Sequence, residues 1–457
     1  MRPLPRVCVV GAGSSGIALI KELHVRGVPF DAFEAGDRVG GNWVFKNSNQ
    51  RSAAYRSLHI NTSRTRMQFA DFPMPAGYPD FPRHELIADY FEAYVDHFGF
   101  RHTIQFNTEV VHISRRPDSV YEVTLSTGEV RRYDAVAVAN GHHWDPRWPD
   151  PPPPGRFDGI SVHSHSYVDP DEPYPLRGKR VVVVGMGNSA MDIACELARP
   201  DTAHKVILSA RRGAHVIPHY LFGRPLDTFS LLRPPVPVSV RTQVGKLIHR
   251  LAVGRMRDYG LPEPGHELHQ AHPTISSQIL PKLGAGEITP KPSIARLDGD
   301  RVVFDDGTSA QADAIIYCTG YRVTFPFFDP AFVAAPDNQL PLFLRVLRPD
   351  LPDLFFLGLL QPLGAIMPLA EAQAKWITAY LEGDYALPDR VQMQRHIDDN
   401  EAIIRRRYVA SARHTMQVDF DDYLRALDRE LQRGRRRARR RNSGLPVPAR
   451  AWADHDD

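Results

Sequence analysis

The chain has 457 residues, long for one domain, so two or more domains are expected, each with ample core. Hydrophobic and charged fractions of 42% and 24% are those of a soluble globular protein and set aside collagen-like and wholly disordered classes. A net charge of +3, much of it supplied by the arginine-rich C-terminal stretch, is too small to argue for nucleic acid, and no nucleic-acid partner is expected. The start, Met1-Arg2-Pro3-Leu4-Pro5-Arg6, leads straight towards an apolar run, so no signal peptide is expected. No apolar run reaches membrane length, and Leu354–Leu360 reads as a core strand, so no transmembrane segment is expected. Cys8, Cys195 and Cys318 lie in apolar patterns and read as buried free thiols of a reducing, cytoplasmic setting. The absence of a CxxC argues against a dithiol–flavin reductase.

Val7–Val10 is a short apolar run that leads into Gly11-Ala12-Gly13-Ser14-Ser15-Gly16. Helical spacing follows over Ile17–Val25, then a second strand, Phe30–Phe33, ending in Glu34. This is a strand, glycine loop, helix and strand with an acid placed for a ribose hydroxyl. Gly11 permits the tight turn, Gly13 lets backbone approach a pyrophosphate, and Gly16 lets helix and strand pack closely. The helix start then offers free N–H groups to phosphate. Soon after come Gly40, Gly41, Asn42 and Trp43, which suggest backbone wrapped round a bulky planar ligand; a plain loop with a packing Trp is the other reading.

Residues 44–105 hold no clean periodic element until an amphipathic helix over His84–Phe98. Asn61, Thr62 and Ser63 lie in the irregular part, ahead of Arg64, Arg66 and Asp71-Phe72-Pro73, and such a long aromatic-rich segment reads as a ligand-covering loop. Strands are expected around Glu109–Ile113 and Tyr121–Leu125, and a buried one over Tyr133–Asn140. The stretch from His142 to Pro175, with Pro151–Pro154 in a row, reads as an extended crossover. His163 and His165 within it have no further ligands at suitable spacing, so no metal site is expected.

A second unit opens with Val181–Val184, then Gly185-Met186-Gly187-Asn188-Ser189-Ala190, a helix over Met191–Ala198 and a strand over Val206–Ser209. In the first unit the acid lies 23 positions past the first glycine; here that region has no acid but Arg211 and Arg212. Two guanidiniums suit a 2′-phosphate better than a free hydroxyl; a solvated arginine face is the alternative. Residues 224–290 are mixed and proline-rich and yield no clear elements. Ala314–Tyr321 reads as another buried strand ending in glycine, and the chain then passes Gln361 to helices over Leu369–Leu381, Asp389–Arg406 and Asp421–Arg433. The run from Arg433 to Arg441 and the residues beyond it read, by composition, as a solvated disordered tail.

Two glycine loops imply two nucleotides in neighbouring domains. The acid and the Gly-Gly-Asn-Trp wrap suit a large cofactor and the arginines suit NADPH, so FAD plus NADPH is the economical pair. At this point the chain resembles the flavin-containing monooxygenases, the single-chain FAD- and NADPH-dependent class. The resemblance rests on Gly11–Gly16, Glu34, Gly40–Trp43, Asn61-Thr62 ahead of Asp71–Pro73, the fingerprint Phe157-x-Gly159-xxx-His163-xxx-Tyr167, Gly185–Ala190, Cys318–Tyr321 and Glu371-x-Gln373. It spans roughly residues 5–430. Two departures are Val168, where the family commonly has lysine, and Ala190 in place of a third glycine, a change often seen where NADP binds.

The resemblance implies an α/β fold of two dinucleotide-binding, Rossmann-like domains, the NADP domain inserted into the FAD domain. The expected division is 1–150 for the first part of the FAD domain, 151–176 for the crossover, 177–319 for the NADP domain, 320–433 for the returning FAD part and its helices, and 434–457 for the tail. In the family NADPH reduces FAD, the reduced flavin takes up O2 to form a C4a-hydroperoxide, and retained NADP shields it until a soft nitrogen or sulfur nucleophile of a small molecule arrives. Carried over to this sequence, Asn61 is the catalytic asparagine beside flavin and nicotinamide. FAD contacts fall to Gly11, Gly13, Ser14, Ser15, Gly16, Glu34, Gly41, Asn42 and Trp43, and further cofactor contacts to Asn61, Thr62 and Gln361. NADP contacts fall to Gly185, Gly187, Asn188, Ser189, Ala190, Arg211 and Arg212. His163 is expected to hold the interdomain connection, and a homodimer is an assembly open to the chain. A Baeyer–Villiger monooxygenase acting on ketones is the alternative, but its usual fingerprint ends in Trp where this chain has Tyr167. A reductase of a protein partner would need a redox cysteine pair or a docking site for the acceptor, and neither is visible.

Overall fold

Strands buried on both faces are near-continuous in apolar residues, which is how parallel sheets covered by helices read. The computed structural model describes residues 3–229, 236–268, 270–271, 273–407 and 415–441. Its first sheet takes β1 (Val7–Val10), followed by α1 (Ser14–Arg26), β2 (Phe30–Phe33), α2 (His84–Phe98), β3 (Ile104–Gln105) and β4 (Ala135–Val138). The chain then leaves for a second sheet with β5 (Ile160–His163), β6 (Arg180–Val184), α3 (Asn188–Leu197), β7 (Lys205–Ser209), α4 (Val238–Ala252), β8 (Ile288–Lys291) and β9 (Ala314–Tyr317). It returns through β10 (Leu347–Arg348) and β11 (Leu351–Phe356) and closes with α5 (Met367–Glu382), α6 (Arg390–Arg407) and α7 (Phe420–Arg441).

The first sheet has the order β10-β11-β4-β1-β2-β3, parallel except for β10. The second runs β5-β9-β6-β7-β8 and is wholly parallel. Because β11 pairs with β4 across more than two hundred intervening residues, the second unit is inserted into the first, as the resemblance implied. Each sheet is the middle of three layers. Ile17, Leu23, Ala370, Ala374 and Ile377 of α1 and α5 cover one face of the first sheet. Cys8, Val10, Val136 and Phe356 meet an antiparallel sheet (Val110–Arg115, Tyr121–Leu125, Val130–Tyr133) on the other.

Two expectations change. The proline-rich crossover is more than a linker: β5 is the edge strand of the second sheet, and Gly155–Phe157 pairs with Ile294–Gly299 beside it. The arginine run is not a disordered tail as far as Arg441, because α7 continues through it. Arginine is a good helix former, and the helix is anchored by buried Phe420, Tyr423 and Leu427. Its Gly434 lies so close to Tyr385 that an added Cβ would overlap the ring, and the Arg437 guanidinium sits 5.5 Å from that ring's centre. The remainder of the expected tail, from 442 on, lies outside the described residues. In 224–290, which has no clean periodicity, the chain forms α4.

Candidate active site

Each glycine loop leaves the carboxyl end of a central strand where the connections diverge to opposite sides, between β1 and β4 in one sheet and between β6 and β9 in the other. That crevice is where open α/β sheets bind nucleotides. Backbone crowding explains the glycines. A Cβ on Gly11 (φ 98°) would lie 2.7 Å from the Ala139 carbonyl oxygen, and one on Gly16 would lie 1.9 Å from that of Gly11. In the second loop a Cβ on Gly185 would lie 2.6 Å from the Cys318 carbonyl oxygen. Helices α1 and α3 then begin behind Gly13 and Gly187 with no side-chain cap, so their first N–H groups remain available to an anion.

One continuous cavity of about 1480 Å³ runs past both helix starts, from Gly11, Gly13, Ser14 and Ser15 to Gly187, Asn188 and Ser189. That exceeds the roughly 300–1,000 Å³ of a pocket for a single small ligand and suits two nucleotides end to end.

Glu34 is buried in the wall of this cavity. Its carboxylate accepts N–H bonds from Ala12 (2.8 Å) and Gly36 (2.7 Å) and one from Asn49 Nδ2 (3.2 Å). It therefore ties the glycine loop to the end of β2, and a carboxylate's two oxygens retain lone-pair capacity for a hydroxyl. The next loop folds over the first. Gly41–Trp43 makes one 3₁₀ turn, Asn42 Oδ1 accepts the Ala53 N–H (2.8 Å), and Asn47 Nδ2 donates to the Gly41 carbonyl (3.1 Å). Gly41, Asn42 and Trp43 all line the cavity, as does Gln361 at the start of a short strand.

Asn61 stands in the irregular segment between two fixed points. The Ile60 N–H donates to the Pro82 carbonyl (3.0 Å) and the Ser63 N–H to Asp227 Oδ2 (2.7 Å). Asn61 lines the large cavity, and its side-chain amide has no hydrogen-bond partner among the described residues. Arg211 and Arg212 follow β7, are exposed, line the cavity, and have no carboxylate partner among the described residues. Asn188 already has work in the protein: its Oδ1 accepts the Ile275 N–H (2.9 Å).

Four expected contacts stand off the cavity surface. Gly16 and Ala190 are spent on helix–strand packing, Gly185 underlies its loop against Cys318, and Thr62 lines a smaller neighbouring cavity.

Sequence reading missed the clasp that joins the units. Tyr55 OH donates to Asp192 Oδ2 (2.5 Å) and Tyr167 OH to Glu196 Oε2 (2.8 Å), the two acids standing one turn apart on α3. Acids at i and i+4 on an apolar helix were the available signal. Burial pushes the Asp192 carboxyl up to about 6 against the opposing effect of the Tyr55 bond. Burial, helped by His165, pushes His163 down to about 4, so it is neutral; its Nδ1 accepts the His165 N–H (3.0 Å), and its ring lies 5.5 Å from that of Tyr321.

The model of the flavin-binding monooxygenase-like family matches residues 5–433. The chain belongs to that family. Flavin-containing monooxygenase 5 of Oryctolagus cuniculus is 35% identical over 91% of this chain and 80% of its own length. Dimethylaniline monooxygenase [N-oxide-forming] 2 of Mus musculus is 35% identical over 93% and 82%. Among solved structures, the S-allyl-L-cysteine S-oxygenase of Allium sativum superimposes with a TM-score of 0.70 at 25% identity, covering 96% of this chain and 92% of that one. This flavin monooxygenase is thus an NADPH-dependent oxidoreductase with FAD as cofactor. The residues present fit both nucleotides: helix starts with uncapped N–H groups behind each glycine loop, an acid beside the first loop, and guanidiniums without carboxylate partners among the described residues beside the second. Among the described residues no helix is long and apolar enough to cross a membrane.

Proposed function

We propose that this monooxygenase oxygenates a soft nucleophilic nitrogen or sulfur of a small molecule, using NADPH and O2. The observation that carries the reading is the single cavity joining both glycine loops, with the Asn61 amide on its wall. FAD is assigned to the α1 cradle with Glu34 and Gly41–Trp43, and NADPH to the α3 cradle with Ser189, Arg211 and Arg212. Bound there, FAD supplies the activation of O2 and the oxygen transfer. The chain's own part is binding, orientation and exclusion of water. The helix N–H groups would hold pyrophosphate, the guanidiniums would hold the 2′-phosphate, and the Asn61 amide would hold the nicotinamide end of NADPH. No protein nucleophile is needed, and burial pushes the Cys195 and Cys318 thiols up to about 12, away from thiolate chemistry. Those free thiols also support a cytoplasmic location.

Relatives named for N-oxide formation and S-oxygenation support heteroatom chemistry, as does Tyr167 where Baeyer–Villiger enzymes have Trp. A panel of methyl phenyl sulfide, N,N-dimethylbenzylamine and cyclohexanone tests it. Sulfoxide or N-oxide should form with NADPH consumption, and lactone from the ketone should be minor. Lactone as the dominant product would reverse the assignment.

A further inference from the structure

A second cavity, of about 240 Å³, adjoins the first: Asn61, Phe81, His219, Ile275 and Gly364 line both. Its other walls are largely apolar, with Ile217, Leu221, Leu226, Phe229, Ile248 and Val253 among them. Most of these residues come from the segment around α4, in which the sequence carried no motif. Among the described residues, the charged side chains on its lining already have partners within the protein. Arg66 meets Asp421 at 3.2 Å, Arg241 meets Asp419 at 3.6 Å, and Asp227 accepts the Ser63 N–H at 2.7 Å.

We infer that this smaller cavity is the substrate chamber and that it takes compact, uncharged, apolar thioethers in preference to sulfides carrying a fixed charge. The inference rests on the proposed heteroatom oxygenation and adds the place and class of its substrate. Size sets one limit. At about 240 Å³ the chamber lies just below the roughly 300–1,000 Å³ of pockets for drug-sized ligands, so one ring with short substituents suits it. Charge sets the other. An amino-acid sulfide brings an ammonium and a carboxylate, and because both arginines on the wall are already paired with aspartates, the carboxylate would be buried with no free counter-charge among the described residues. His219 and His249 add no cation, because burial pushes both down and keeps the rings neutral. Asn61 lines both cavities, so a thioether sulfur at that end of the chamber is next to the space between the two nucleotide cradles.

The FAD-loaded enzyme is assayed with methyl phenyl sulfide and with S-allyl-L-cysteine, and titrated calorimetrically with methyl phenyl sulfone as an unreactive probe. The kcat/KM for methyl phenyl sulfide should exceed that for S-allyl-L-cysteine by on the order of 100-fold. In Ile248→Trp, which fills the chamber, KM for methyl phenyl sulfide should rise at least about tenfold and sulfone binding should be lost. Leu247→Trp, on the outward face of the same helix where Leu247 is 60% exposed, should leave both unchanged. Unchanged KM and sulfone binding in Ile248→Trp would overturn the chamber, and a preference for S-allyl-L-cysteine would overturn the substrate class. No oxide from either sulfide would strike the proposed heteroatom chemistry itself. Should Ile248→Trp not fold, Ile248→Ala replaces it: the enlarged chamber should raise relative kcat/KM for benzyl phenyl sulfide several-fold, and an unchanged ratio overturns the chamber.

Discussion

In the proposed function, Asn61 is the residue on which coupling of the two nucleotides turns. A turn asparagine whose amide serves only the backbone would be bonded locally, whereas the Asn61 amide has no partner among the described residues and faces the cavity. Removing it leaves the phosphate and ribose contacts in place, so Asn61→Ala should retain FAD, consume NADPH and release hydrogen peroxide in place of oxide. The ratio of oxide to NADPH, read together with peroxide, checks this; an unchanged ratio in a flavin-loaded variant argues against the role. Arg211 and Arg212 make the second case. Loss of one charge-assisted contact to the 2′-phosphate costs about 1.5–3 kcal/mol, roughly one to two decades in affinity. KM for NADPH should rise by that factor in Arg211→Ala or Arg212→Ala while KM for NADH stays put. Equal effects on both coenzymes would mean that the arginines do not read the phosphate.

Beyond the phosphate contact proposed for its start, helix α3 joins the units, because its Asp192 and Glu196 receive hydroxyls from Tyr55 in the first unit and Tyr167 in the crossover. Tyr167→Phe removes one donor from a buried carboxylate and should destabilise the protein by about 1–3 kcal/mol. Thermal melting of the FAD-loaded variant checks it, and an unshifted midpoint would make the bond incidental. The elements most legible in the sequence were those whose pattern is local. The glycine loops, the helix over His84–Phe98 and the buried strands ending in glycine each follow from spacing and backbone crowding. The clasp was not legible because its partners lie 29 and 137 positions apart. The continuation of α7 was hidden by composition: an arginine run looks solvated until a buried face at its start and a close glycine contact at Tyr385 hold it. The small cavity's walls were unreadable because residues 224–290 have no clean period and their neighbours are set by tertiary packing.

For the molecule as a whole, acidification should be destabilising. Burial lowers the histidines at 142, 163, 165, 219, 249 and 266, with His163 at about 4. The unfolded chain protonates them near 6.5, so between about 6.5 and 4 it binds more protons than the folded one and stability falls as pH falls. Asp192 acts oppositely. Its folded value of about 6 lies above its unfolded one, so its contribution is present at low pH and is lost as pH rises through about 6. Asp192 and Glu382, whose carboxyl burial also raises, are outnumbered, and the melting temperature should be lower at pH 5 than at pH 7.5; a rise on acidification would contradict this. The central claim, that two nucleotides in one cavity direct an oxygen atom from O2 to a soft heteroatom, is tested most directly with isotopic oxygen. The FAD-loaded enzyme is supplied with NADPH, ¹⁸O₂ and methyl phenyl sulfide, and the product is analysed by mass spectrometry. One labelled oxygen per sulfoxide, formed in step with NADPH consumed, is the predicted result. NADPH consumption with all of the oxygen recovered as peroxide or water, and no labelled sulfoxide or N-oxide from any thioether or tertiary amine, would contradict it.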